Sequence, residues 1–374
     1  MENKYCFIDE GVIDASYGSY EELPEDSLGP VKMSGNMLYE SQGINGEGVI
    51  VAIIDTGINA NHPEFEGRII DGVNVNSSYS DPLDYNDDNK HGTHCAGLIC
   101  GKYAGVAKGA KLLVIKALDR EGGMNKPSDI IKALDYARKW SGPKGERVDI
   151  ISMSLSGTKM GWGGATIVNN MEKAIQACVK QNILVVCSMG NTGGDSVRYP
   201  AALDDVVAVC AVDVDKKQAK FTTSGSHADV CQVGVNVISA SHTGGYISLS
   251  GTSMSTPIVA GIAALIKSKY KNTVKEELTE RKLYEALKHH TIDIGIEGTD
   301  KYFGAGFCTL NALNLSVKVF NGSKTIVVNG YPRTIDTPCT VVNGRFIIPF
   351  RHFVELTGGY CLYDEGSDSA TFRW

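Results

Sequence analysis

Five continuous apolar runs of strand length mark the first two-thirds of the chain: 49–54 (VIVAII), 112–118 (LLVIKAL), 148–155 (VDIISMSL), 183–187 (ILVVC) and 206–212 (VVAVCAV). They do not alternate with polar residues, which is how strands buried on both faces read. Helical spacing fills the gaps. Ser128 can cap a helix through Trp140 that carries Ile130, Ile131, Leu134 and Ala137 on one face, and a second helix covers about 165–181. A long helix is predicted after Gly251, with Ile258, Val259, Ile262, Leu265 and Ile266 at helical spacing and Pro257 in its first turns, where a missing N–H costs least. One more covers about 277–290. Strands alternating with helices predict an α/β fold, a parallel central sheet with helices on both faces.

Past Leu315 the texture changes. Short β-like runs (316–320, 325–328, 345–350) alternate with the turn signals Asn321-Gly322, Asn329-Gly330 and Asn343-Gly344. This predicts a small β-rich C-terminal domain, 316–374, after a large domain, 31–315. A division also suits 374 residues, more than one core usually organises.

Charge separates a third segment. The whole chain carries −7, and residues 1–30 hold eight carboxylates and one lysine, which accounts for all of it. No Lys/Arg run suggests nucleic acid. The longest apolar run, 258–266, is too short for a membrane span of about 20 residues. No secretion signal is legible, because Asp9 and Glu10 interrupt the apolar stretch begun at Tyr5. The ten cysteines then read as reduced, buried thiols of a cytoplasmic protein.

Three segments carry candidate chemistry. The first strand ends in Asp55-Thr56-Gly57, at the strand end where functional groups of parallel sheets collect. Residues 91–97, His-Gly-Thr-His-Cys-Ala-Gly, form a glycine-flanked helix start, and 250–257, Ser-Gly-Thr-Ser-Met-Ser-Thr-Pro, open the long helix. Alone, Asp55 could be a cap, and His91 with His94 could be half a zinc site. Together, in the order Asp–His–Ser, they supply an orienting acid, a base and a nucleophile. No H-E-x-x-H occurs, and His242, His289, His290 and His352 lack spaced partners for a metal.

The motifs IIDTGI, HGTHCAG and GTSMSTP resemble the three active-site motifs of the subtilisin-like (S8) serine proteases, over about 23–313. VDIISMSL, ILVVCSMGN, YPAA and GFCTLNAL follow in the order of the bacterial intracellular subtilisins. The resemblance implies a serine endopeptidase acting on proteins or peptides through Asp55, His91 and Ser253, with Asn191 as oxyanion-hole donor. It implies substrate-binding segments at Ser154, Leu155, Ser156 and Gly157, at Gly122, Gly123 and Met124, and at Ser188, Met189 and Gly190. These walls look small and neutral, which suits broad specificity with an apolar P1 side chain. Asp195 reads as a solvated loop carboxylate rather than a pocket residue. The chemistry requires no cofactor. The family's calcium-binding loop is shortened to 98–104, with Glu64 the one remaining candidate ligand, and calcium needs 6–8 oxygens, so that site looks absent. Cys95 reads as packing beneath the histidine.

Residues 318–374 resemble the small β-rich module named for the N-terminal domain of copper amine oxidases, through NGRFIIPFRHF and ELTGG. Cys339, His352 and Cys361 show no copper-ligand spacing, and the module would serve for docking to a partner. The acidic segment 1–30 matches the inhibitory extension of intracellular subtilisins in position and in Glu22-Leu23-Pro24-Glu25, with Tyr5 to Asp9 nearest to the inhibitory motif. A solvated acidic tail is the competing reading. The alternative to an enzyme is a catalytically silent scaffold of the same fold, and the intact Asp55, His91, Ser253 and Asn191 argue against it.

Overall fold

The computed structural model describes residues 5, 6, 8, 15–24, 27–275 and 277–311, with shorter stretches between 317 and 373. The chain divides into two compact units, 1–312 and 313–374.

In the larger unit the strands are β1 (Tyr5–Cys6), β2 (Ala15–Tyr17), β3 (Ile50–Asp55), β4 (Ile69–Asn74), β5 (Lys111–Lys116), β6 (Gly123–Met124), β7 (Ile150–Met153), β8 (Leu184–Ser188), β9 (Val207–Val212), β10 (Val230–Val233), β11 (Val237–Ala240), β12 (Tyr246–Leu249), β13 (Thr291–Ile292) and β14 (Phe307–Cys308). The helices are α1 (Gly29–Lys32), α2 (Asn36–Glu40), α3 (His91–Cys100), α4 (Asp129–Lys139), α5 (Ala165–Val179), α6 (Thr252–Lys269) and α7 (Glu280–His289).

Nine strands form one sheet in the order β13-β14-β10-β9-β8-β7-β3-β5-β4. Every pairing from β4 to β10, and that of β10 with β14, is parallel, and only β13 is antiparallel. All five apolar runs read from sequence are central strands, and β3, β7, β8 and β9 are buried at every residue, which is why their pattern is continuous rather than alternating. β4, β10 and the short strands β11 to β14 gave no such run. β4 is half polar (IIDGVN) at the sheet edge, and the others are four residues or fewer.

The four helices expected from spacing are present as α4, α5, α6 and α7. Helix α6 is buried from Thr252 to Ser268, as a helix apolar all round must be. It approaches closely at Gly261, where a Cβ would meet the Val106 side chain at 2.6 Å. Heads of helices and carboxyl ends of strands therefore meet on one side of the sheet, the usual site position in such folds.

Within 1–30, two short strands join other parts of the unit. β1 pairs antiparallel with β6, Tyr5 opposite Met124 and Cys6 opposite Gly123. β2 pairs antiparallel with β12, itself a hairpin partner of β11. Tyr20 stacks on Tyr103 with centroids 4.1 Å apart.

The smaller unit contains antiparallel pairings: Val317–Lys318, Thr325–Val328 and Tyr331–Thr334 in one sheet, Thr340–Val342 with Arg345–Ile347, and Tyr360–Asp364 with Ser369–Arg373. Cys339, His352 and most of the NGRFIIPFRHF and ELTGG text lie outside the described residues.

Candidate active site

Asp55 closes β3 and is buried. Its Oδ1 accepts from the Thr56 N–H at 2.7 Å and lies 2.7 Å from His91 Nδ1, while Oδ2 has no partner. His91 opens α3. The turn before it is built around Asp87, which accepts from the hydroxyls of Thr56 (2.8 Å) and Thr93 (2.5 Å) and from the N–H groups of Asn89, Lys90 and Thr93. Lys90 is held at φ 137°, a conformation costly for a side-chain-bearing residue, so this web fixes where the imidazole starts.

With Nδ1–H donated to a carboxylate, His91 presents Nε2, which is buried and has no protein partner. Burial opposes a charge on His91, but the adjacent Asp55 carboxylate prevails and holds the imidazole pKa well above its ordinary value.

Ser253 is the second residue of α6. Its hydroxyl lies 3.3 Å from the Ser154 carbonyl, and its own carbonyl accepts from Ser154 Oγ at 2.9 Å and from Cys95 Sγ at 3.3 Å. The same sulfur sits 3.9 Å from His91 Nδ1, so one thiol gathers the histidine and serine motifs into one cluster. Burial pushes the Cys95 thiol pKa up, which keeps it protonated and packed under the site, as the sequence suggested. Asp55, His91 and Cys95 also converge as a possible metal-ligand group. A metal would require the thiolate, and the carboxylate already holds the ring.

Asn191 follows the loop after β8. Its Oδ1 accepts from both the N–H and the hydroxyl of Thr252, at 2.9 Å each, which fixes the amide's orientation. Nδ2 then lies on the other side of the amide, 3.3 Å from where a Cβ on Gly251 would be. The Ser253 N–H stands at the head of α6, in the first turn, where N–H groups lack intrahelical partners. Two N–H donors are therefore held beside the serine at a positive helix end.

Two of the three segments expected to line the cleft lie against each other. Ser154 to Gly157 and Ser188 to Gly190 follow the adjacent strands β7 and β8. A Cβ added at Gly190 would come 2.7 Å from Ser156 Oγ, 3.2 Å from Thr223 Oγ1 and 3.3 Å from Arg198 Nε. Gly122, at φ +71°, and Gly123–Met124 form the third segment, covered by β1 and by buried Ile8. A Cβ at Gly122 would collide with the Ile8 side chain.

Arg198 was missed from sequence. It reaches the pocket because Tyr199 bridges Gly157 through two backbone bonds of 2.8 and 2.9 Å, a long-range pairing that no local pattern announces. Asp195 is exposed and engaged by Lys301 (2.6 Å) and Ser224 (2.5 Å), which hold its carboxyl below the usual range.

At the other end of α3, Glu64 is fully buried. It accepts from the N–H groups of Tyr103 (2.8 Å) and Ala104 (3.3 Å) in the short loop and from the Tyr246 hydroxyl (2.7 Å). His94 does not share a site with His91. Its Nε2 faces the Val237 and Ile247 carbonyls at 2.9 and 3.2 Å, and burial pushes its pKa down to about 3. Cys95, Cys100, Cys178, Cys187, Cys210, Cys231 and Cys308 are free and buried, and burial raises the thiol pKa of each, to about 12 for Cys100, Cys178, Cys210 and Cys308. Among the described residues no helix is long and apolar enough to cross a membrane.

The model of the subtilase family matches residues 46–306. The intracellular serine protease of Paenibacillus polymyxa is 36% identical over 74% of this chain and 83% of its own length. The major intracellular serine protease of Bacillus subtilis (strain 168) is 35% identical over 73% of this chain and 84% of its own. Thermitase of Thermoactinomyces vulgaris is 32% identical over 74% of this chain and 92% of its own.

Proposed function

The chain belongs to the subtilase family, and on that premise we propose how its residues divide the work of a serine endopeptidase. The observation that carries the assignment is the convergence of the Asp55–His91 pair and Ser253 around Cys95.

A substrate strand pairs with the Gly122–Met124 edge, so that main-chain bonds supply affinity and specificity along the chain is broad. His91 Nε2 takes the proton from Ser253 Oγ as Oγ bonds to the scissile carbonyl carbon, and the carbonyl π pair moves onto oxygen. Asn191 Nδ2 and the Ser253 N–H donate to that oxyanion. As the tetrahedral adduct collapses, the C–N bond breaks and His91 gives its proton to the departing amine. Water then repeats the sequence on the acyl-enzyme. Asp55 keeps Nδ1 protonated and stabilises the imidazolium throughout.

Three further assignments accompany this one. Residues 1–30 act as an inhibitory extension, supported by β1 lying on the same edge that substrate needs. The shortened 98–104 loop dispenses with calcium. Hydrogen-bond donors converge on Glu64, and donors do not fit a cation. The protein works in the cytoplasm, a reading supported by the names of two relatives and by the buried free thiols.

A fluorophosphonate probe tests the nucleophile, base and access together. Wild type should label covalently and Ser253→Ala should not. Equal labelling of the two would overturn the assignment.

A further inference from the structure

We infer that Arg198 makes the P1 pocket a receptor for a side-chain carboxylate, so that this peptidase favours cleavage after glutamate. The inference rests on the endopeptidase reading and adds the substrate class.

The two pocket walls come together at Ser156 and Gly190, and the Arg198 side chain lies against both. Its Nη2 is 3.4 Å from the Ser156 carbonyl and hydroxyl, and its Nε is 3.3 Å from where a Gly190 Cβ would be. These contacts leave the guanidinium unsatisfied. Both bonds are at the long limit for N–H···O, and Nε is buried with no partner among the described residues. Among the described residues no carboxylate pairs with Arg198. Asp195, next in line by sequence, is already held by Lys301 and Ser224. A half-buried guanidinium whose Nε is buried without an acceptor is costly, and a carboxylate is the group whose geometry matches it.

The backbone keeps the residue there. The Gly157–Tyr199 bridge fixes the following peptide, and the Arg198 carbonyl accepts from the Ala202 N–H at 2.8 Å. An arginine between the walls also fills the space that a large aromatic P1 side chain would occupy. Glutamate reaches a charge at the pocket floor, and glutamine, of the same shape, lacks the charge. The expected apolar P1 preference came from wall residues alone, and Arg198 changes the chemistry those walls enclose.

The test is kcat/KM for peptide anilides identical except for P1 Glu, Gln or Phe, with the full chain and active sites counted by fluorophosphonate labelling. Wild type should prefer Glu to Gln by about tenfold or more, the worth of one charge-assisted hydrogen bond. Raising the salt should reduce that ratio. Arg198→Gly should abolish the preference and raise Phe relative to Glu. Arg198→Gln, which keeps the bulk, should abolish the Glu preference without opening the pocket to Phe. Counting active sites removes any loss from misfolding. A wild type that labels and cleaves Phe but prefers Gln to Glu, or variants that keep the Glu preference, would overturn the inference and leave the endopeptidase standing. No labelling and no hydrolysis of any peptide would overturn both.

Discussion

The two ends of helix α3 each rest on a buried carboxylate, and the two are set up in opposite ways. At the N-terminal end Asp55 keeps one oxygen without a partner and spends the other on Thr56 and His91. At the C-terminal end Glu64 has both oxygens occupied by backbone N–H groups and a tyrosine hydroxyl. A satisfied carboxylate stabilises one conformation. An incompletely satisfied one, beside an imidazole, responds when that imidazole gains a proton. One helix thus carries a reacting group at one end and a fixed anchor at the other. The chemistry follows from how completely each acid is hydrogen-bonded, since both are buried.

The largest effect expected belongs to the reacting end. Ser253→Ala should lower kcat by about 10⁶, as removal of the serine does in subtilisin. Peptide anilide hydrolysis measures it, and turnover near wild type would break the assignment. Asp55→Asn should cost roughly 10⁴, because the amide no longer secures the productive tautomer. Its pH profile sharpens the contrast. With neutral His91 as the proposed base and Asp55 holding its pKa above ordinary histidine, wild-type kcat/KM should rise with pH to a midpoint above about 6.5. Without the carboxylate charge that midpoint should fall. An unmoved midpoint would mean that Asp55 does not set it.

The anchoring end should answer in stability alone. Glu64→Ala strands two N–H groups and a hydroxyl, at about 1–3 kcal/mol for each left buried and unsatisfied. The melting temperature should drop while kcat per labelled active site stays within a few-fold of wild type. A large loss of kcat with unchanged melting would erase the distinction between the two ends. Smallest of all is the response to chelation. On the proposal that the 98–104 loop dispenses with calcium, EDTA should leave the melting temperature where it was, because ligand loss lowers apparent stability only where the ligand was bound; a large drop would overturn that proposal.

How much of this was legible in sequence depended on distance along the chain. Asp55, His91 and Ser253 each sit at the end of an element and within a short motif, so local pattern pointed to all three. Glu64 was legible as an isolated acid. Its hydrogen bonds to Tyr103, Ala104 and Tyr246 depend on a turn and a strand far along the chain. Arg198 carried no signal in the local pattern, because its place is set by the Gly157–Tyr199 bridge. The strands β1 and β2 were hidden for a different reason. Two and three residues long, they carry no periodicity, and the acidity around them reads equally well as a solvated tail.

On the proposal that residues 1–30 are an inhibitory extension, the pairing of β1 with β6 has a consequence for the way the enzyme is restrained. A segment joined to the chain it covers meets its site at an effective concentration set by the tether, on the order of mM for short flexible links. Diluting the protein does not lower that figure, and a free peptide present far below it competes poorly for the Gly123–Met124 edge. Cutting the tether converts the covering strand into an ordinary ligand at the bulk concentration of the protein itself. A single cleavage between about 26 and 34 thereby changes a permanent competitor into one that diffuses away. A shortened chain beginning at Gly29 should then be more active than the full chain at low substrate and converge with it as substrate approaches saturation.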